Sequence, residues 1–530
     1  MFTGILTRNQ LQPARGGGER PAISLEDEVT WTYADLHERT NRYANGLRAL
    51  GVRSGDRVGM LIANSLEYWA LYLAITRLGA IAVRLNWRLT GEELTYALTD
   101  SGTSVLCLHG RFAPTIAPVL TETPVRTTVL FELDADLDGG EAAAALPDAH
   151  PQSTVESADA GEPDVPDPVE TDPCMIMYTS GTTGYPKGAL WTHGQTLFFG
   201  AMQAMHWRYD DTAVHLATTP MFHVSGFEDW VLPILMSGGH AVHMRSTGLT
   251  VDAIVRALRH HRVRDVFLLP ATIYQWMSRP DLDEIDLPDL RRVLTGGSPI
   301  LGWAVDRIRG AYPQVRMEQA YGLTEGGAMT SVMDPDRLDE HRTSVGRPLP
   351  LTEVKIVDPA TTEDLPADTD GELWTRSPSV CGTYWGKPEA TAETFVDGWC
   401  RTGDLARITA DGYIYIIGRV KDMILSGGEN IYPAEIENVL ADHPDVQEAA
   451  VVGVPDPTYD ETPCAVVVRN EGASITEDDV IAYCRDRIAG YKRPRHVAFV
   501  DTLPRNASGK ILKRTLREEY AHLGKPPEAS

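Results

Sequence analysis

The stretch RVGMLIANSLEYWALYLAITRLGAIAVRLN, residues 57–86, sets the fold class. RVGMLIANS reads as a short buried strand. YWALYLAITRLGAIAV is apolar nearly throughout, and a helix that is apolar all round is a buried one. Arg77 interrupts the run, and a bilayer crossing takes ~20 apolar residues. A buried helix running into a second strand, IAVRLN, therefore accounts for it better than a membrane span. SVLCLHG (104–110) supplies a further buried strand. Upstream, TYADLHERTNRYANGLRAL (32–50) places apolar groups at helical spacing behind Thr32, a candidate N-cap. Downstream, VRDVFLLPA (263–271) and LRRVLTGGSPI (290–300) read as strands ending in Pro or Gly. Loops at such carboxyl ends form ligand crevices. Strands alternating with helices predict layered α/β architecture with a largely parallel sheet.

At 530 residues the chain exceeds one ordinary core, so two or more domains are expected. A composition of 43% hydrophobic and 23% charged residues is that of a soluble globular protein. The net charge of −26 argues against a general nucleic-acid or anionic-membrane surface, since both need a basic footprint. A small anion held by one loop and a few cations stays compatible with it. Cys107, Cys174, Cys381, Cys400, Cys464 and Cys484 are scattered without a C-x-x-C pair. That pattern favours reduced cytosolic thiols over a disulfide framework or a zinc site. MFTGILTRNQLQPARGGGER lacks a long apolar core and a cleavage pattern, so no signal peptide and a cytoplasmic location are expected. Residues 134–173 are rich in Asp, Glu, Ala and Pro without periodicity and read as a solvated surface excursion. A second joint lies in GRVKDMILSGGENIYPAEIE, from Gly418. After it the pattern restarts: helix AEIENVLADH, strands EAAVVGVP and PCAVVVRN, helix DDVIAYCRDRI and a basic tail, the size of a small α+β domain.

YTSGTTGYPKG, residues 178–188, carries the first chemical signal. A P-loop needs G-x-x-x-x-G-K-[ST]. Here Pro186 falls five positions after Gly181, and Gly188 follows Lys187, so this is not a Walker A sequence. The ingredients are nevertheless those of an anion cradle. Gly181 and Gly184 let backbone N–H groups turn toward an anion. Thr179, Ser180, Thr182 and Thr183 add hydroxyl donors, and Lys187 adds a point charge. From these residues alone a polar turn between two strands competes. The whole string resembles the signature of the adenylate-forming (ANL) superfamily of acyl-CoA synthetases, adenylation domains of peptide synthetases and firefly luciferase. Four more stretches resemble that family's motifs in its order: YGLTE (Tyr321–Glu325), WCRTGDL around Asp404, GRVKDMILSGGENIYPAEIE, and PRNASGKILKR. Residues 32–110 are similar to its N-terminal subdomain, so the resemblance covers essentially the whole chain. It implies a large multi-layered α/β adenylation domain over 1–417 that binds ATP and the acid. A hinge at 418–421 and a small mobile α+β domain over 422–530 complete the expected architecture.

The implied reaction joins a carboxylate to the α-phosphate of ATP, releases pyrophosphate, and passes the acyl group to CoA. Two anions must meet, so charge neutralisation and fixed geometry should dominate. By the resemblance, Lys187 and its loop grip the β- and γ-phosphates, and Thr324 and Thr183 contact phosphate oxygens. Glu325, with Thr183, would hold Mg²⁺, which prefers oxygen ligands shared with phosphates. Gly296, Gly297 and Ser298 with Tyr321 would form the adenine shelf, Gly322 and Leu323 beside it. Asp404 would accept from ribose hydroxyls with Arg419 assisting. Lys510, in ASGKIL, would bridge carboxylate and α-phosphate; an exposed lysine in a basic tail is the plain alternative. His223 stands where the family has a gate beside the acyl pocket, though a packed structural histidine also fits.

Lys421 matches the hinge position. Gly427 and Gly428 would line a pantetheine tunnel, with Tyr459, Arg493 and Arg495 contacting CoA. Asp460 departs from the pattern, since CoA-using relatives usually carry glycine there. Phe198, Phe199, Met202, Phe227 and Trp230 would wall a pocket for a flat or medium-sized apolar group. Glu228–Asp229 is unusual, and reads either as an exposed helix start or as a pocket carboxylate facing a polar or amine-bearing substrate. The expected substrate is an aromatic acid, amino- or hydroxy-substituted. Three alternatives stay open: delivery to a separate carrier-protein thiol, activation of another oxyanion such as nitrite for an arylamine, and a non-catalytic ligand-binding homologue. A homodimer also stays open.

Overall fold

The computed structural model describes residues 6–132, 142, 144–179, 185–297, 300–427, 429–485, 487–505 and 511–523. They form two compact units, Met1–Val354 with Thr375–Thr402, and Lys355–Trp374 with Gly403–Ser530.

Residues 57–86 fold as strand Arg57–Leu61, helix Leu66–Arg77 and strand Ile81–Arg84, the two strands parallel with Arg57 beside Ile81. Ser65 starts the helix by accepting from the Tyr68 N–H, and every helical residue except Glu67 is buried. Arg77 can be buried because its guanidinium donates to Asn41 Oδ1 at 2.5 Å and pairs with Glu162 at 2.5 Å.

This unit contributes the centre of a seven-stranded sheet. Its order is His150–Pro151, Thr127–Phe131, Val105–His109, Arg57–Leu61, Ile81–Arg84, Pro173–Thr179 and Lys187–Thr192. All neighbours are parallel except the last pair, a hairpin. A nine-stranded sheet in the same unit has a parallel centre: His240–His243, Val214–Ala217, Asp265–Phe267, Arg292–Gly296 and Arg316–Tyr321. Helix Tyr33–Ala49 begins at Thr32, whose side chain accepts from Asp35 N–H in a reciprocal capping box.

The segment expected to be a solvated excursion is largely at the surface where it is described, and it is anchored to the helix beneath it. Val155 is fully buried against helix Tyr33–Ala49, where a Cβ at Gly46 would sit 2.6 Å from Val155 Cα. Asn41 donates to the Ala160 carbonyl at 2.9 Å, and Asn45 to those of Asp159 and Gly161 at 2.9 and 2.8 Å. Composition marks the exposure, while the anchoring runs through carbonyls, which carry no sequence signal. Residues 133–141 and 143 of it lie outside the described residues.

Strand Trp399–Ile408 enters the second unit at Gly403 and pairs antiparallel with Ile414–Arg419, setting Asp404 opposite Arg419. The second unit takes in residues 403–417 as well as those from 418 onward. A further sheet runs Glu429–Ile431, Ile424–Ser426, Asp460–Arg469, Val446–Asp456, with His496–Val500 parallel to Asp460–Arg469. Helices Pro433–Ala441 and Glu477–Arg485 cover its apolar cluster. Among the described residues no helix is long and apolar enough to cross a membrane. All six cysteines are buried and none forms a disulfide.

Candidate active site

The candidate residues of the first unit gather at carboxyl ends of parallel strands, where crevices form in open α/β sheets. Thr179 ends Pro173–Thr179, Gly296 ends Arg292–Gly296, and Tyr321 ends Arg316–Tyr321. Thr179 and Lys187 face each other as the last rung of the hairpin. Ser180, Gly181, Thr182, Thr183 and Gly184 lie outside the described residues, as do Ser298, Gly428 and Lys510.

At that rung three distant segments meet. Thr179 Oγ1 donates to Glu325 Oε1 at 2.7 Å, and the Tyr384 hydroxyl donates to the same oxygen at 2.9 Å. Lys187 Nζ sits 5.3 Å from the centroid of the Tyr384 ring. Burial and the Glu325 charge hold the Tyr384 phenol far above its usual range, so it stays a donor. Sequence reasoning missed Tyr384: a tyrosine in GTYWGK carries no signal until its contacts are known.

Beside the rung, Gly296 is in register with Ala320, which brings the two halves of the expected adenine shelf together. A Cβ at Gly322 would collide with the Ala328 carbonyl, so only glycine fits there. Gly297 takes a φ of +83°, and Thr324 is buried. Leu323 caps the turn by accepting from the Gly326 and Ala328 N–H groups at 3.1 and 2.9 Å. In the second unit Asp404 is buried and pairs with Arg419 at 2.6 Å.

Arg84, at the end of the stretch that set the fold, is the second residue sequence reasoning missed. It is beside Met177 in the neighbouring strand and wholly buried. Its Nε donates to the Tyr68 hydroxyl at 3.2 Å, and Nη1 pairs with Glu228 Oε1 at 2.5 Å. Nη2 donates to the carbonyls of Met221 and, at 3.1 Å, His223, while the guanidinium lies 4.7 Å over Phe227. The exposed-helix-start reading of Glu228 is thereby corrected. The helix begins at Val231, and Glu228 is wholly buried against a cation of the protein itself. Its charge supplies no reason for an amine on the substrate. His223 is exposed on the turn that Arg84 grips, its Nδ1 accepting from the Ser225 N–H at 3.3 Å.

Asp229 is buried next to that pair, and burial together with the Glu228 charge pushes its carboxyl up to about 8. An unfolded Asp releases its proton near ~3.9. Between those values the folded state holds the extra proton, so stability falls as pH rises from about 4 to about 8. Asp229→Asn should remove that slope, matching the parent near pH 4 and melting higher than it at pH 8. A difference in melting temperature that is constant across pH would refute the assignment.

Of the expected pocket walls, Phe227 stacks on Trp69 at 3.6 Å and meets Tyr72 edge-on at 4.6 Å. Phe199 packs edge-on against Trp191 at 5.9 Å and Met202 is buried, while Phe198 is half-buried. Trp230 holds a φ of +66°; its N–H donates to Gln203 Oε1 at 3.0 Å, and Gln203 Nε2 donates to the Glu228 carbonyl at 3.0 Å.

In the second unit the Gly427 N–H donates to the Tyr459 carbonyl at 2.8 Å, and Arg495 lies 4.1 Å over the Tyr459 ring. Arg493 turns away, donating to the Arg485 carbonyl at 3.0 Å. Asp460, where glycine was expected, has a φ of +65°, a left-handed conformation that Asp tolerates better than most residues. Lys421 is exposed in the turn Val420–Asp422.

Residues 11–385 match the AMP-binding enzyme family, and residues 435–510 match the AMP-binding enzyme C-terminal domain. The chain belongs to this family, the adenylate-forming enzymes, in its acyl-CoA synthetase branch. Within it the protein is an AMP-forming acid–thiol ligase. It is 39% identical to a feruloyl-CoA synthase of Amycolatopsis sp over 92% of this chain and 94% of that one. It is 36% identical to the long-chain-fatty-acid–CoA ligase FadD13 of Mycobacterium tuberculosis over 94% and 95%. ATP-bound MatB of Rhodopseudomonas palustris has the same fold, with a TM-score of 0.86 at 30% identity, covering 99% of this chain and all of that one.

Proposed function

We propose that the protein converts a hydroxy-substituted aromatic acid to its acyl-adenylate at the expense of ATP, then transfers the acyl group to CoA. The observation that supports it most is the rung where Thr179, Glu325, Tyr384 and Lys187 converge, because it sets a cation and a carboxylate together as a polyphosphate requires. Lys187 meets the pyrophosphate end, Thr324 contacts a phosphate oxygen, and Tyr321 with Gly296 and Gly297 supports the adenine. Asp404, held by Arg419, accepts from the ribose hydroxyls, and Lys510 neutralises the carboxylate against the α-phosphate. Residues 418–421 serve as the pivot between half-reactions, and Gly427, Tyr459 and Arg495 meet CoA.

Mg²⁺ suits Glu325. Two neutral hydroxyls stabilise its carboxylate without cancelling the charge, which leaves an oxygen ligand of the kind this ion takes. Bound there, Mg²⁺ would offset phosphate charge. The aromatic acid class is supported by the likeness to feruloyl-CoA synthase across the chain. Hydroxy rather than amino substitution is supported by the same likeness, and Arg84 already supplies a cation to Glu228.

Pyrophosphate release across an acid panel tests this, run with CoA, with holo carrier protein, and with nitrite plus an arylamine. The expected result is release with hydroxycinnamic-type acids and thioester only with CoA. Preference for long saturated fatty acids would overturn the substrate class. Release that yields product only with carrier protein or nitrite would overturn the acceptor.

A further inference from the structure

We propose that Tyr384 is a positioning residue that locks the cation and the carboxylate of the ATP grip into one assembly, its hydroxyl setting Glu325 and its ring setting Lys187. The proposal rests on the reading that Glu325 and Lys187 face the phosphates of ATP.

The strap Thr383–Lys387 is hydrogen-bonded along the strand that carries Lys187. Trp385 N–H donates to the Gly188 carbonyl at 2.8 Å, Leu190 N–H donates to the Thr383 carbonyl at 3.1 Å, and Tyr384 bridges Ala189. Its far end is linked to the other strand of the hairpin through Asp100 of helix Gly91–Ser101. Lys387 Nζ donates to Asp100 Oδ1 at 2.5 Å, and the Tyr178 hydroxyl donates to Asp100 Oδ2 at 2.9 Å. One short segment is thus bonded to one stem of the hairpin directly and linked to the other through Asp100, and Tyr384 extends from it to Glu325.

The geometry divides the work of this side chain. Two hydroxyl donors, Thr179 and Tyr384, converge on Oε1 of Glu325. They fix the rotation of the carboxylate and leave Oε2 to a cation. The ring is a separate device, since a lysine ammonium over an aromatic face is attracted to it and loses part of its range. A lysine on a flexible four-carbon stem would otherwise sample many positions. Residues that orient a metal ligand from behind change metal affinity by about 10–100-fold when altered.

Calorimetric binding of α,β-methylene-ATP, with and without Mg²⁺, separates these roles in the full chain. Tyr384→Phe keeps the ring and should bind the analogue in EDTA as the parent does, while needing about tenfold more Mg²⁺ for the metal-dependent gain. Tyr384→Leu should weaken binding in EDTA as well. Melting curves check folding; should the Leu variant fail to fold, the Phe variant alone carries the test. Wild-type Mg²⁺ dependence in Tyr384→Phe, with Glu325→Gln losing it, would overturn the positioning role alone. Wild-type dependence in Glu325→Gln would overturn the reading of Glu325 and this proposal with it.

Discussion

Lys510→Ala is expected to lower acyl-adenylate formation by about 10²–10³-fold and to leave thioester formation from supplied acyl-adenylate near the parent rate. The magnitude is that of removing one preorganised donor from a site where negative charge accumulates. In adenylation the carboxylate and the α-phosphate repel until a cation lies between them. In the second step that bond is already made, and a thiol displaces AMP without needing the same lysine. The neighbouring cations are poor substitutes because they are engaged: Lys513 pairs with Glu437 at 2.6 Å, and Arg514 with Glu518 at 2.9 Å. Pyrophosphate exchange reports the first half-reaction, and thioester formation from synthetic acyl-adenylate reports the second. Equal loss in both would sink the assignment, and unchanged exchange would return Lys510 to an ordinary tail residue.

The second large effect is expected at Arg84. Arg84→Met or Glu228→Leu alone strands one charge in a fully buried site, which costs about 3–5 kcal/mol. The double variant removes both charges, and well-packed apolar replacements of a buried pair are often neutral, so most of that loss should be recovered. Catalysis should not recover with it. In either variant lacking Arg84 the Met221 carbonyl loses the guanidinium and the His223 carbonyl keeps only the Gly226 N–H, so the turn carrying His223 relaxes. The KM for the acid should therefore stay raised in the double variant while the KM for ATP is unchanged. Urea unfolding and steady-state kinetics measure the two separately. Additive destabilisation would show that the charges do not act as a pair, and a parental KM for the acid would show that Arg84 does not hold the turn.

Much of the architecture was legible because it depends on local pattern. The Thr32 cap, the buried helix within residues 57–86 and the strand ending at Gly296 follow from a hydroxyl-bearing cap and apolar runs that act within a few residues. The motif residues Thr179, Lys187, Glu325 and Asp404 were singled out by resemblance, and the structure brings the first three to one place through Tyr384. What failed was anything set by a partner far away in the chain. Glu228 was read without Arg84, which lies 144 residues upstream. Residues 150–172 were read as surface, and most are, but the anchoring of Val155 and the carbonyls of 159–161 to helix Tyr33–Ala49 went unread.

For residues 57–86, sequence alone determined a strand, a buried helix and a second strand, because apolar continuity and length leave few other ways to hide that surface. It also determined the adenylating class through five ordered motifs. Only the tertiary structure decided that Arg84, the last residue of that second strand, neutralises Glu228, and that Tyr384 joins Glu325 to Lys187. Both are single side chains whose meaning lies in a few ångströms of separation between distant segments, and chain folding alone sets those distances.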